Sequence, residues 1–245
     1  MDIFLSIFSF LFGAIVGSFL NALIYRLPRE INIAHPRSSC PHCGKLIYWY
    51  ENIPILSYVF LKGRCSNCHE KISIQYPLIE FGCGVVALLI SPKNYSIQEI
   101  YSFVFFFTVF AAFLVHFIVD LKHQILPDLV NLYLAIVFLI IGIINYPILH
   151  WSIGAVLGLA FPYAVSFGFY KIKGQVGLGG GDIKLWGALG LYLGPMGILQ
   201  NIFFKLLCWS SFWRNIIRSK NHKKRTSDSF WSIYYLNRIY SNIFS

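Results

Sequence analysis

The chain has 245 residues, of which 57% are hydrophobic and only 12% are charged. Soluble domains carry about 25% charged residues, so the composition excludes an ordinary soluble domain and favours a membrane protein. The net charge of +10 could indicate a nucleic-acid partner. In a membrane protein, however, Lys and Arg concentrate in loops that stay in the cytoplasm, so we expect the lipid bilayer, and no nucleic acid, as a partner.

Six helices that could cross a membrane are predicted from the gaps between charged residues, because a crossing needs about 20 mostly apolar residues. The first uncharged segment, residues 3–25, has no basic stretch before it and no small-x-small cleavage pattern after it. We therefore interpret it as a retained helix and not as a signal peptide. The uncharged run 129–170 exceeds one crossing and is divided at the turn Asn145-Tyr146-Pro147. A seventh, poorer helix could cover 202–217. The predicted spans are 3–25, 72–92, 100–119, the two halves of 129–170, and 185–204.

The loop between the first two predicted helices is rich in basic residues. The positive-inside rule places such a loop in the cytoplasm, and alternation of the helices then places the N-terminus outside. Asp120 ends one predicted helix and Asp182 begins another, so both are expected at the cytoplasmic face. The basic residues of the loop are Arg26, Arg29, Arg37, Lys45, Lys62, Arg64 and Lys71.

Asp120 and Asp182 are the candidate catalytic residues, because ionisable residues at membrane depth are costly and usually functional. Two neighbouring carboxylates share a proton. One can then activate a water while the other protonates the departing amide, which is general acid–base hydrolysis of a peptide bond. Asp182 could instead be the N-cap of the helix that follows it. Asp120 lies at the C-terminal end of its predicted helix, where the helix dipole disfavours an anion, so a purely structural role is less expected for it. Asp128 is interpreted as a cap.

Three consecutive glycines, Gly179, Gly180 and Gly181, precede Asp182 and form the predicted active-site loop. Because glycine has no side chain, this segment can approach a partner helix or a substrate strand closely. A phosphate-binding loop is the alternative, but the run lacks the Gly-Lys-Ser/Thr ending of a P-loop.

The predicted cytoplasmic loop also contains two Cys-x-x-Cys pairs, Cys40 with Cys43 and Cys65 with Cys68. This spacing is typical of a structural zinc ribbon, in which four thiolates complete a tetrahedral site. Such a site has no open position, so zinc would fold the loop and take no part in chemistry. Disulfides are the alternative, although a reducing cytoplasm disfavours them.

Several motifs together resemble the type IV prepilin peptidases, a family of Gly-x-Gly-Asp membrane aspartic proteases. The resemblance extends over roughly residues 10–200. Besides the two cysteine pairs, it rests on Gly17-Ser18-Phe19-Leu20-Asn21, Tyr25-Arg26-Leu27-Pro28, Tyr50-Glu51-Asn52-Ile53-Pro54-Ile55-Leu56-Ser57-Tyr58, Lys62-Gly63-Arg64-Cys65, Tyr76-Pro77-Leu78-Ile79-Glu80, Asp120-Leu121-Lys122-His123 through Pro127-Asp128, and Gly179-Gly180-Gly181-Asp182-Ile183-Lys184.

The resemblance implies that Asp120 and Asp182 are the catalytic pair of an aspartic endopeptidase. It implies a type IV prepilin or pseudopilin substrate, whose basic leader is cut after a glycine at the cytoplasmic face of the bacterial inner membrane. It also implies N-methylation of the new N-terminus with S-adenosylmethionine, an activity that the cysteine-bearing region accompanies.

Two acidic residues of the same motifs, Glu51 and Glu80, are weak candidates for contacts with the methyl donor. Each is a charge among apolar residues. The alternative is a structural ion pair with Arg64 or Lys71, and the sequence leaves both readings open.

The predicted fold is an all-α polytopic membrane protein, a bundle of about six to seven transmembrane helices with a cytoplasmic zinc-ribbon insertion. Its predicted divisions are a first transmembrane helix (1–25), a zinc-ribbon loop with four cysteine ligands (26–75), a membrane aspartic protease domain (76–204) and an atypical basic tail (205–245). The membrane pattern of the family is lost in the tail. A truncation or frameshift near residue 200 is one hypothesis for this loss, and a divergent cytoplasmic tail is the other.

Two rival functions fit part of the pattern. A proton-coupled transporter would also place acidic residues among helices, although transporter sites lie near the midplane and often between repeats. A zinc-ribbon membrane protein that only binds a partner would need neither aspartate. Asp→Asn substitutions discriminate these readings, because a binding protein tolerates them and a protease does not.

Overall fold

The computed structural model describes residues 3–174 and 178–223, with the side chains of 173 and 205–223 outside the description. Two compact units are formed, one within Met1–Gln124 and one within Ile125–Ile239. In the described chain, extended pairing is limited to two isolated β-bridges, Ser39 with Leu46 and Arg64 with Lys71. The helices are α1 (Ile3–Arg26), α2 (Leu56–Phe60), α3 (Gln75–Leu89), α4 (Ile97–His123), α5 (Asp128–Asn145), α6 (Ile148–Lys173) and α7 (Gly180–Lys223), with 3-10 helices at Leu27–Arg29 and Trp49–Asn52.

Five of the helices are long and apolar enough to cross a membrane, so the predicted all-α membrane fold is confirmed. The predicted division of the long uncharged run is also confirmed, because α5 ends at Asn145 and α6 begins at Ile148. The exception is the predicted span 72–92. Its helix, α3, has only 15 residues, or about 22 Å at 1.5 Å per residue, against a hydrocarbon core of about 30 Å.

α3 is short because both ends of its predicted span have other partners. At one end the Ile72 N–H donates to the Gly63 carbonyl at 2.8 Å, so this residue belongs to the second cysteine turn. At the other end Ser91 Oγ lies 3.0 Å from Ser9 Oγ and donates to the Leu5 carbonyl at 3.4 Å. Ile72 is therefore held in the loop and Ser91 against α1, so the helix is confined to the residues between them.

Within the first unit, α1 and α3 pack closely and antiparallel. A Cβ added at Gly17 would lie 2.8 Å from Glu80 Cα. One turn further along α1, Asn21 Nδ2 donates to the Tyr76 carbonyl, one turn earlier in α3, at 3.1 Å. Small residues at such a crossing are typical of membrane helices, whose association depends on close van der Waals packing.

Within the second unit, α6 packs along α7 through glycines. A Cβ added at Gly190 would lie 2.1 Å from the Gly154 carbonyl oxygen, so the two backbones touch at this crossing. α7 is kinked at Gly194, whose φ is 67°, immediately before Pro195. Its backbone then continues as helix to Lys223, so the predicted poorer helix 202–217 is part of α7. Residues 224–245 of the predicted tail lie outside the described chain.

Arg26 fixes the start of the cysteine-bearing loop at the end of α1. Its buried guanidinium donates to the carbonyls of Asn32, Ile33 and Pro36 at 3.1, 2.6 and 2.7 Å. From the sequence, Arg26 was a basic charge of the loop and part of the motif Tyr25-Arg26-Leu27-Pro28. The structure shows that it also orders the first turn of the loop.

Candidate active site and metal centre

The first cysteine pair lies in a tight turn. The Cys40 N–H donates to the Lys45 carbonyl at 2.9 Å, and the Gly44 N–H donates back to the Cys40 carbonyl at 2.9 Å. Gly44 has a left-handed φ of 70°, a conformation that glycine adopts without strain. The turn leaves Cys43 exposed and Cys40 further in.

The second cysteine pair repeats this turn. The Cys65 N–H donates to the Glu70 carbonyl at 2.9 Å, and the His69 N–H donates to the Cys65 carbonyl at 3.1 Å. His69 occupies the position equivalent to the turn glycine and has a left-handed φ of 58°. It closes the turn through its backbone, and the four cysteines form the metal-ligand cluster without it.

The two turns bring the four cysteine sulfurs together. All four Sγ atoms lie within 4.8 Å of one another, with Cys40–Cys68 at 3.8 Å and Cys43–Cys65 at 4.0 Å. Four sulfurs around a tetrahedral zinc, each about 2.3 Å from it, would lie about 3.8 Å apart. The donor set therefore fits zinc. The disulfide alternative is wrong for these four residues, which are free thiols.

The thiols differ in how readily they ionise. The Lys45 backbone N–H and then the Asn67 side chain lower the pKa of Cys43 to about 6. For Cys68 the largest influence, a backbone hydrogen bond from Glu70, lowers the pKa, but desolvation and the neighbouring sulfurs together raise it to about 12. The cluster therefore resists full ionisation by itself, and a divalent cation would remove the repulsion between its thiolates.

A polar network that the sequence analysis did not predict joins the two cysteine turns. Lys45 Nζ donates to Glu51 Oε1 at 3.1 Å and to Ser66 Oγ at 2.7 Å. Ser66 Oγ donates to the same carboxylate oxygen, and the Tyr48 N–H donates to Oε2 at 3.0 Å. Glu51 therefore links both turns to the 3-10 helix between them.

Glu51 and Glu80 each have structural partners, but neither pairs with Arg64 or Lys71 as predicted. Glu51 forms its ion pair with Lys45. Glu80 is buried in α3, where it accepts the backbone N–H of Ile55 at 2.7 Å and a hydrogen bond from Ser18. The predicted ion pairs with Arg64 or Lys71 are therefore wrong, because a backbone donor and a nearer lysine hold these carboxylates. Neither partner could be read from the spacing of charges in the sequence.

Asp120 lies in the last turn of α4 and is exposed. The Gln124 N–H donates to its backbone carbonyl at 2.9 Å. Gln124 has a left-handed φ of 55° and ends the helix. The side chain therefore stands at one end of an apolar helix.

Asp182 lies in the first turn of α7, which begins at Gly180. An N-cap precedes the first helical residue, so the predicted N-cap alternative is wrong by position. The Asp182 N–H donates to the Gly179 carbonyl at 3.1 Å. Its side chain is half-buried, and an acidic residue in a first turn is favoured by the helix dipole.

Gly181 is packed tightly against the segment before α5. A Cβ added there would lie 2.8 Å from Leu126 Cβ and 3.1 Å from the Leu126 carbonyl oxygen. The buried Asn131 Nδ2 donates to the Gly181 carbonyl at 3.1 Å. A Cβ at Gly180 would meet open space. The close backbone approach expected of the glycine run is therefore found at one of its members.

Asp128 forms an ion pair rather than a cap. It is the first residue of α5, whose N-cap position is occupied by Pro127 without a capping side chain. Its Oδ2 lies 2.7 Å from Lys184 Nζ, and both side chains are exposed. The residue therefore links α5 to the first turn of α7.

Asp120 belongs to the first compact unit and Asp182 to the second. The pairing of their side chains stays a prediction.

Two family models together match most of the chain. One, described as the bacterial peptidase A24 N-terminal domain, matches residues 11–94. The other, described as the type IV leader peptidase family, matches residues 104–213. The first match contains all four cysteines of the cluster, and the second contains both aspartates and the glycine run. The second match also extends beyond the predicted limit of the resemblance near residue 200.

Curated proteins described as prepilin leader peptidase/N-methyltransferase are similar over most of their length. That of Vibrio cholerae serotype O1 is 36% identical over 203 residues, covering 78% of this chain and 78% of the relative. That of Klebsiella pneumoniae is 34% identical over 203 residues, covering 80% and 88%. That of Burkholderia pseudomallei strain 1026b is 33% identical over 218 residues, covering 76% and 68%. No solved structure matches the chain significantly.

Proposed function

Because the chain belongs to the type IV leader peptidase family, we propose that Asp120 and Asp182 are the catalytic pair with which it removes the leader of type IV prepilins or pseudopilins. The observation that carries the proposal is the family match over residues 104–213, which contains both aspartates. The chain is a multi-pass membrane peptidase of prepilins. A transporter and a partner-binding protein are not favoured by this membership.

In the proposed reaction, one carboxylate removes a proton from a water molecule, whose oxygen attacks the carbonyl carbon at the end of the leader. The other carboxyl group gives its proton to the departing nitrogen, and the C–N bond breaks. The pair begins and ends with one proton in total. The second aspartate follows the tightly packed Gly181, which would hold the first turn of α7 in a fixed position.

We place the reaction at the cytoplasmic face of the bacterial inner membrane. The support for this side is the basic loop between α1 and α3, since such loops stay in the cytoplasm. Asp120 lies at the last turn of one apolar helix and Asp182 at the first turn of another. A carboxylate at a helix end can be reached by a polar leader, while the apolar segment of a pilin stays in lipid.

The relatives also carry the name N-methyltransferase, and the family assigns this second activity to the chain. We propose that the new N-terminal amine of the cleaved pilin is its acceptor. S-adenosylmethionine would supply the methyl group. The amine must lose a proton before it can act as the nucleophile.

We also propose zinc as the metal of the four-cysteine cluster, on the basis of its sulfur spacing and donor type. Cys40, Cys43, Cys65 and Cys68 would be the ligands. Because four protein ligands fill a tetrahedral site, zinc would fold the loop and would not touch the substrate.

The proposal is tested with the full chain in liposomes that contain a membrane-inserted prepilin. Asp120→Asn and Asp182→Asn should each reduce the rate of leader removal by about 10³-fold, since general acid–base groups contribute 10²–10⁴-fold. Asp128→Asn is the matched control, because it removes an exposed carboxylate of the second unit whose surface ion pair with Lys184 contributes little, and it should keep activity. Methylation of a pilin supplied without its leader should continue in the two inactive variants, which shows that they are folded. Retention of leader removal by either variant would overturn the assignment.

A further inference from the structure

The loop between α1 and α3 contains an uncharged apolar segment, residues 53–61, between Glu51 and Lys62. The segment includes α2, and its outer face is strongly exposed: Leu56 is 54%, Val59 63% and Phe60 81% exposed. Contiguous exposed apolar surface marks a site of interaction with protein or membrane. A face of this kind needs an occupant.

A buried carboxylate holds the segment beside the membrane-crossing helices. The Ile55 N–H, at the start of α2, donates to Glu80 Oε2 at 2.7 Å. Glu80 is 7% exposed and lies about 8 Å along α3 from its first residue. It packs against Gly17, which lies about 14 Å before the end of α1. One glutamate side chain therefore holds the start of α2 beside α3 and beside α1, a helix long and apolar enough to cross a membrane.

The backbone at this contact is fixed in an unusual conformation. Ile55 has a φ of 62°, in the left-handed region that β-branched residues rarely adopt. The bend turns the chain into α2 and directs its apolar residues away from the protein. The Ile55 N–H therefore reaches Glu80 only when the loop follows this bend.

The residues that flank the segment fit a membrane surface. Trp49 is 78% exposed at its entry, and tryptophan is enriched where a membrane meets water. Lys62 and Arg64 follow at its exit, where basic side chains can reach anionic headgroups. A peptide or a second copy of this chain would explain the apolar face, but not its position beside the membrane helix α1 or its flanking tryptophan and basic residues.

We propose that residues 53–61 are an interfacial segment whose Leu56, Val59 and Phe60 side chains lie in lipid at the boundary between headgroups and acyl chains. The segment is too short to cross the bilayer and lies along its surface. Glu80 is its positioning residue.

The test is photo-crosslinking of the full chain in liposomes of phosphatidylethanolamine and phosphatidylglycerol. p-Benzoylphenylalanine is placed at Phe60, at Val59, or at His42, an exposed residue in the first cysteine turn that serves as the control. After irradiation, mass spectrometry should find lipid adducts at Phe60 and Val59 at least tenfold more often than at His42. Melting temperatures equal to that of the parent establish that the variants are folded.

Three results would overturn the proposal: equal lipid labelling at all three positions, no lipid adduct at Phe60 and Val59, or adducts only with a second copy. The experiment is repeated with added prepilin. Replacement of the lipid adduct by a prepilin adduct would make the face a substrate surface and would also contradict the proposal. The labelling is repeated in Asp182→Asn, so that its outcome does not depend on the proposed catalytic pair.

Discussion

At the residue scale, Gly181 and Gly180 have different surroundings although they are adjacent. An added Cβ would press on Leu126 at the first position and would meet open space at the second. Of these two glycines, packing therefore requires glycine only at Gly181, the residue next to the aspartate proposed to act in hydrolysis.

Gly181→Ala should reduce leader removal by roughly 10- to 100-fold, because displacements of about 1 Å near a reacting group can cost that much. Gly180→Ala is the matched control and should keep activity, since alanine is the better helix former by about 1 kcal/mol. Initial rates with one prepilin measure both. Equal losses in the two variants would show that flexibility of the whole run, and not contact at Gly181, matters.

The sequence predicted which residues lie together where their spacing along the chain alone defines the geometry. The cysteines were assigned correctly as one cluster because two Cys-x-x-Cys turns and four thiols leave few arrangements. Glu51 and Glu80 were not assigned correct partners. A buried carboxylate that accepts a backbone N–H leaves no signal in the pattern of side chains, so the contact between Glu80 and Ile55 is visible only in the structure.

At the scale of elements, the crossing of α6 and α7 depends on two facing glycines. Gly190→Ala would place a methyl group 2.1 Å from the Gly154 carbonyl oxygen, and should lower the free energy of unfolding by about 1–3 kcal/mol. Gly168→Ala in α6 is the control, because an added Cβ there meets nothing within 4 Å. Thermal melting in detergent should fall only for the first variant. A lower melting temperature in both variants would mean that the close contact at Gly190 is not the cause of the loss.

The cysteine loop should bind one zinc per chain. Glu51 should influence the zinc affinity without being a ligand, because it supports the turns that carry the cysteines. Glu51→Gln weakens the network that joins the two turns, so zinc affinity should fall by about tenfold, as for other residues that support metal ligands. Glu70→Gln is the control, since it neutralises an exposed glutamate of the same loop. Competition with a chromogenic chelator measures the dissociation constants. Equal affinities in all three proteins would remove Glu51 from this role.

The helices were predicted from uncharged runs, which locate apolar segments but do not show how each one ends. The turn at Asn145-Tyr146-Pro147 has its own signal and was placed correctly. The ends of α3 were not, because Ile72 is apolar yet bonds within the cysteine turn. Residues 53–61 are apolar as well, but the run is too short to be predicted as a crossing. The contact of Ile55 with Glu80 in α3 supports their proposed interfacial position.

At the scale of the whole molecule, the two family matches separate the cysteine loop from both aspartates. Loss of the metal should therefore affect the two activities unequally. Cys43→Ser should reduce methyl transfer by about tenfold or more, as loss of ligand support does in other sites, and should reduce leader removal much less. Cys83→Ser, at a buried cysteine outside the cluster, is the control. Equal losses of both activities would mean that the loop supports the entire active site.

We propose that Asp120 and Asp182, which lie on different helices, act as one hydrolytic pair. The most direct measurement is the rate of leader removal by Asp120→Asn, by Asp182→Asn and by the double variant, under single-turnover conditions in liposomes. Residues that act as a unit are strongly non-additive, so the double variant should be no slower than the slower single variant. Losses that multiply in the double variant would mean that the two carboxylates act independently, and would contradict the account.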